Sequence, residues 1–146
     1  MSLFHKTEET AGELSFTDKE AAVALLFLVV TVDGSISPCE EELVIAASNR
    51  MKLLKDLAIP EFNAAVQKVR NAIEAKGRAA VFAAGVKGLP AELGETVYAL
   101  GGDIAFADGG AEEAEIACLR ELQEALGISD ELATKVLEVM RIKNRG

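Results

Sequence analysis

Two acidic segments of this 146-residue chain contain the side chains best suited to chemistry, and both follow one pattern. Residues 33–40 read DGSISPCE, and residues 108–115, 75 positions later, read DGGAEEAE. Each is an Asp-Gly corner after an apolar run, with a glutamate seven residues beyond the aspartate. Carboxylates on short turns at helix starts suit a hard divalent cation, which prefers oxygen ligands. The candidate ligands of such a metal ion are Asp33, Glu40, Asp108 and Glu115.

Two other interpretations of these corners exist. The spacing matches the second half of an EF-hand loop, which also needs oxygen ligands four and two residues before the aspartate. Those places hold Val29 and Thr31 in the first copy. In the second copy they hold Ile104 and Phe106, so the sequence excludes an EF-hand. The remaining alternative is structural, since Asp-Gly forms turns and a glutamate can bond free amides at a helix start.

Side chains for nucleophilic or redox catalysis are scarce. His5 is the only histidine and lies in the polar first residues of the chain, while Cys39 and Cys118 are the only cysteines. A di-iron bundle would require two Glu-x-x-His pairs. A histidine-activated nucleophile would depend on His5. The sequence therefore predicts a protein that is not an enzyme, and the two cysteines without a Cys-x-x-Cys motif favour a reducing, cytoplasmic setting.

The charge of the chain, −9 in total, is unevenly distributed. Residues 1–49 contain nine acids and two bases, and residues 88–131 contain eleven acids and one base. Bases dominate residues 50–87, with eight against three acids, and the last fifteen residues, with four against one. Both corners lie in acidic regions. This argues against nucleic acid as a partner, because phosphate binding needs a concentrated basic surface, and leaves cations and basic protein surfaces as candidates.

A central helix must position the first corner. The sequence Thr17-Asp18-Lys19-Glu20 is a capping box that opens a helix reaching to about Val32. From residue 21 to residue 30 it is apolar on every face, which predicts a position at the centre of the protein. The twelve-residue apolar run ending at Val32 is too short for a bilayer span, which needs about 20 residues.

The remaining sequence predicts further helices. Caps, prolines and glycines delimit them, at approximately residues 38–51, 61–75, 78–86, 91–107, 112–126 and 130–142. The adjacent Gly101 and Gly102 indicate a close helix crossing or a bend. We expect an all-α, single-domain bundle of about seven helices built from two pseudo-symmetric repeats, 17–76 and 90–143. Residues 1–16 are expected to form a flexible N-terminal arm before a domain covering 17–146.

These features resemble the tellurite-resistance TerB family over roughly residues 17–142. The resemblance rests on the two corners with their following glutamates and on residues 119–129, LRELQEALGIS. It implies an all-helical duplicated fold and a part in bacterial resistance to tellurite and related stresses. It also implies metal binding by the acidic corner residues, which here are Asp33, Glu40, Asp108 and Glu115. The second copy departs from the first in having GAEE where the first has SISP.

Two functions follow as expectations. The first is a non-enzymatic cytosolic module of a stress-response system that binds a divalent cation through the paired acidic corners. The alternative is a metal-free scaffold whose acidic surface docks a basic partner. For either, the resemblance implies partners among proteins of the same resistance system, some of them membrane-associated, and a location in the cytoplasm or at the inner membrane. The sequence does not indicate an oligomeric state.

Overall fold

The computed structural model describes residues 14–31, 42, 44–46, 49–107 and 113–145. Within these ranges the regular structure is entirely helical, which confirms the all-α class. The helices are α1 Asp18–Val30, α2 Ile59–Lys76, α3 Arg78–Gly88, a 3₁₀ turn Ala91–Leu93, α4 Gly94–Ala105, α5 Glu113–Leu126 and α6 Asp130–Lys143. Residues 42, 44–46, 49 and 50 are also helical. No helix among the described residues combines the length and apolar composition needed to cross a membrane.

Helix α1 forms the centre of the protein. All ten residues from Ala21 to Val30 are buried, and α1 packs against α2, α3, α4 and α5. Leu26 is fully buried, and Leu25 and Val29 are each 1% exposed. The predicted position of this helix at the centre of the protein is therefore confirmed. A helix without a polar face is stable only when other helices cover it on all sides.

Local side-chain chemistry determines both ends of α1. At its start the Thr17 hydroxyl accepts a hydrogen bond from the Glu20 amide at 3.2 Å, and Glu20 Oε1 accepts one from the Thr17 amide at 3.0 Å. This is the predicted capping box. At its end the Thr31 hydroxyl donates to the Phe27 carbonyl at 2.8 Å. The Thr31 backbone has left the helical region, with φ −111° and ψ 32°, so α1 ends two residues before the predicted Val32.

The two adjacent glycines of α4 lie where other helices approach closely. A Cβ atom on Gly101 would lie 3.4 Å from Val29 Cγ2 of α1, and one on Gly102 would lie 3.0 Å from Leu137 Cδ2 of α6. The predicted close crossing is thus found on two sides of one helix. The predicted single helix 91–107 is instead a 3₁₀ turn followed by α4, a tighter first turn that is common at helix starts.

Two predictions about organisation remain untested. The proposed superposition of 17–76 on 90–143 depends on the Asp-Gly corners, which lie outside the described residues. Of the proposed arm, residues 1–13 also lie outside them. At its end, Leu14 packs against the core and Phe16 is buried.

Candidate functional site

The structure describes one of the four candidate metal ligands. Glu115 is the third residue of α5 and is partly exposed in the first turn of that helix. A carboxylate in this position is favoured by the positive end of the helix dipole. Asp33, Glu40 and Asp108 lie outside the described residues, so their separation from Glu115 stays a prediction. Within the described ranges, no group of three or more His, Cys, Asp or Glu side chains is arranged to hold a metal ion.

The helices that precede the two corners are neighbours. Helix α1 leads to the first corner and α4 to the second, and these helices pack against each other. Val29, in the last turn of α1, lies so close to α4 that a Cβ atom on Gly101 would be 3.4 Å from its Cγ2. Helix α5, which begins directly after the second corner and contains Glu115, packs against both. The scaffold around the corners is therefore one packed unit of three helices.

A single arginine holds the end of α1. Arg78, the first residue of α3, donates from Nη1 to the Thr31 carbonyl at 2.8 Å and to the Thr31 hydroxyl at 2.9 Å. Its Nη2 donates to the Leu28 carbonyl at 2.7 Å. The last carbonyls of a helix have no partner within the helix, and a cation there also complements the helix dipole. Arg78 thus fixes the chain two residues before Asp33.

This arrangement limits what the first corner can offer a metal ion. Both oxygen atoms of Thr31 that could serve as ligands already accept hydrogen bonds from a guanidinium. The positive charge of Arg78 would also repel a divalent cation placed beside them. Thr31 is therefore poorly placed to serve as a ligand for a metal ion at this corner. Thr31 occupies one of the upstream positions where an EF-hand would need a ligand, so the structure agrees with excluding that loop.

A cleft of about 600 Å³ opens between α3 and α5 beside Arg78. Leu28 of α1 forms part of its lining, together with Phe82 from α3 and the exposed Glu121 and Glu124 from α5. Both flanking helices pack against α1. This cleft is not evident from the sequence, because its lining comes from three helices that are far apart in the chain.

The thiol of Cys118 also lines this cleft. Burial raises the pKa of the Cys118 thiol, the positive charge of Arg78 lowers it, and the charges of Glu121 and Glu115 raise it. The net result is a pKa above the ordinary value for a cysteine. Because the thiolate is the reactive form, this environment disfavours nucleophilic or redox chemistry at Cys118.

The comparison with protein families gives one match. The family model described as tellurite resistance protein TerB matches residues 19–136. The match begins in α1 and ends within α6, so it includes both acidic corners and the Arg78 contact. No curated protein and no solved structure matches the chain.

Proposed function

The chain belongs to the TerB family of tellurite resistance proteins, and we propose that it is a non-enzymatic module of a bacterial tellurite-resistance system that binds a divalent cation. The observation that carries the proposal is the repetition of one acidic corner at identical spacing inside the region that the family matches. Asp33 and Glu40 would supply ligands from the first corner. Asp108 and Glu115 would supply them from the second.

Electrostatics explains how a cation would act on this protein. Carboxylates brought close together repel one another, and a bound cation removes that repulsion. A ligand that binds only the folded state also stabilises it by mass action, by about 2.7 kcal/mol at a concentration of 100 times the dissociation constant. The packing of α1, α4 and α5 against one another supports bringing the corners close together.

The test compares the melting temperature with and without Ca²⁺, Mg²⁺, Mn²⁺ or Zn²⁺, together with equilibrium dialysis. We expect one of these ions to raise the melting temperature of the wild type. The double variant Asp33→Asn and Asp108→Asn should lose this increase while its metal-free form still folds. A control that also removes two negative charges is Glu74→Gln with Glu92→Gln, both exposed and outside the corners. If the corner variant keeps the full metal response, the proposed site is wrong.

The charge distribution favours a second candidate function, a metal-free scaffold that docks a basic partner. Helix α5 lies in the region with eleven acids and one base, and its Glu113, Glu121 and Glu124 are exposed. Partners would be proteins of the same resistance system, including membrane-associated ones, which would place this protein in the cytoplasm or at the inner membrane. Absence of binding for all four ions in equilibrium dialysis would make this scaffold the first choice.

A further inference from the structure

Helix α6 carries an apolar surface that nothing in the described part of the chain covers. Val139 and Ile142 are each 55% exposed and are two of the four large apolar side chains that the described residues expose strongly. Their spacing of three residues places them side by side on one helix face. The opposite face of α6 packs on α4, where Leu137 approaches Gly102. The exposed pair therefore takes no part in packing α6 against α4.

Basic residues flank this apolar pair along the chain. Lys135 lies four residues before Val139 on the same helix face, and Arg145 follows two residues after α6 ends at Lys143, so a base precedes and a base follows the apolar pair. Lys135 forms an ion pair with Glu131 at 3.6 Å, but both side chains are at least 70% exposed, and such a pair contributes little. Arg145 is exposed as well. We call Lys135, Val139 and Ile142, together with Arg145 beyond the helix end, the α6 face.

The cleft between α3 and α5 has the complementary composition. Leu28 and Phe82 give it an apolar lining, and the exposed Glu121 and Glu124 give it an acidic rim. Neither glutamate has an ion-pair partner among the described residues. Arg78 also lines the cleft. Its positive charge would complement Glu138 of α6, the one acid in the last fifteen residues.

We propose that the α6 face of one copy of this chain docks into the α3–α5 cleft of a second copy. The two apolar side chains enter the cleft, and the flanking bases meet its acidic rim. The two surfaces are complementary in polarity and in charge, which is what sets register and orientation at interfaces. The occupant is a second copy because the matching surface is present on the same molecule. This inference is independent of metal binding at the acidic corners.

The size and charge of these surfaces determine how the association should behave. Two apolar side chains and one cleft make a contact near or below the low end of stable interfaces, about 1,200 Å². The association should therefore be weak and concentration-dependent. Because part of the attraction is between exposed charges, salt should weaken it. Contacts that join two different surfaces produce closed rings or open chains, depending on the rotation between copies.

Sedimentation velocity and light scattering after gel filtration, from micromolar to millimolar protein, test the proposal. We expect the average mass of the wild type to rise with concentration and to fall again in high salt. The variant Val139→Ser with Ile142→Ser should stay monomeric, with an unchanged helical circular dichroism spectrum because both side chains are exposed. Ile59→Ser is the matched control, since Ile59 is 75% exposed on α2, outside both surfaces, and should associate like the wild type.

Charge reversal provides the decisive arm. The variant Glu121→Lys with Glu124→Lys and the variant Lys135→Glu with Arg145→Glu should each fail to self-associate. When mixed, the two variants should associate with each other, because the cleft of the first is now basic and the α6 face of the second is now acidic.

Three outcomes would overturn the proposal. They are a monomeric wild type at every concentration, an equal loss of association in Ile59→Ser, and no association in the mixture of reversed variants. Binding to phosphatidylglycerol vesicles that requires Val139 and Ile142, in a protein that remains monomeric, would assign the α6 face to lipid instead.

Discussion

Replacing Arg78 by methionine tests how strongly one side chain holds the end of the central helix. Methionine keeps an unbranched apolar stem, so it preserves much of the packing of the arginine stem. It removes all three hydrogen bonds that the guanidinium donates to Thr31 and Leu28. The Leu28 carbonyl and both Thr31 oxygens then lose the charged donor that they share.

The size of the effect follows from these contacts. A hydrogen bond with a charged partner contributes about 1.5–3 kcal/mol to stability. Three such bonds from one group are not additive, and Arg78 is partly exposed beside the cleft, so water can reach the freed oxygens. We therefore expect Arg78→Met to lower the free energy of unfolding by about 2–4 kcal/mol. The free energy of unfolding of Arg78→Lys should lie between those of the wild type and Arg78→Met, because an ammonium cannot reproduce the planar fork of a guanidinium.

Urea unfolding followed by far-ultraviolet circular dichroism is the suitable assay, since the chain has no tryptophan and one tyrosine. Arg141→Met is the control, because Arg141 is exposed in the last turn of α6. Arg141→Met should lower the free energy of unfolding by less than about 1 kcal/mol, the usual stabilisation from a basic side chain near a helix C-terminus. If Arg78→Met lowers the free energy of unfolding no more than this control does, with an unchanged denaturant slope, then Arg78 does not stabilise the end of α1.

Three further predictions concern stability. Leu26→Ala should lower the free energy of unfolding in urea by about 2–5 kcal/mol, because Leu26 is fully buried. Burial raises the pKa of Glu20, but its hydrogen bonds from Lys68 and the Thr17 amide outweigh this and lower it overall. Glu20 therefore stabilises above its unfolded-state pKa and loses this contribution as pH falls through the folded-state pKa, so Glu20→Gln should flatten the acid side of a stability–pH profile. Gly88→Ala should lower the melting temperature, since its Cβ would lie 2.8 Å from the Phe16 carbonyl oxygen, whereas a Cβ at Gly94 meets nothing closer than 3.6 Å.

The candidate site was only partly predictable from the sequence. The repeated spacing identified Glu115 as a residue of a helix start, and the structure places it in the first turn of α5. The same reasoning missed Arg78 and the α3–α5 cleft. A base directly after Gly77 was visible in the sequence, but nothing local indicated which carbonyls it would bind.

Features that depend on residues close together in the chain were predictable from the amino-acid sequence. The Thr17 and Glu20 cap involves residues three apart, and the burial of α1 follows from ten consecutive apolar residues, so no partner had to be known. The hydrogen bonds from Arg78 to Thr31, 47 residues away, depend on the packing of α3 against α1 and were not predictable from the sequence. The same is true of the cleft that α3 and α5 form over Leu28. Such contacts depend on how helices pack around α1, and that arrangement is a collective result of the whole core which no single segment specifies.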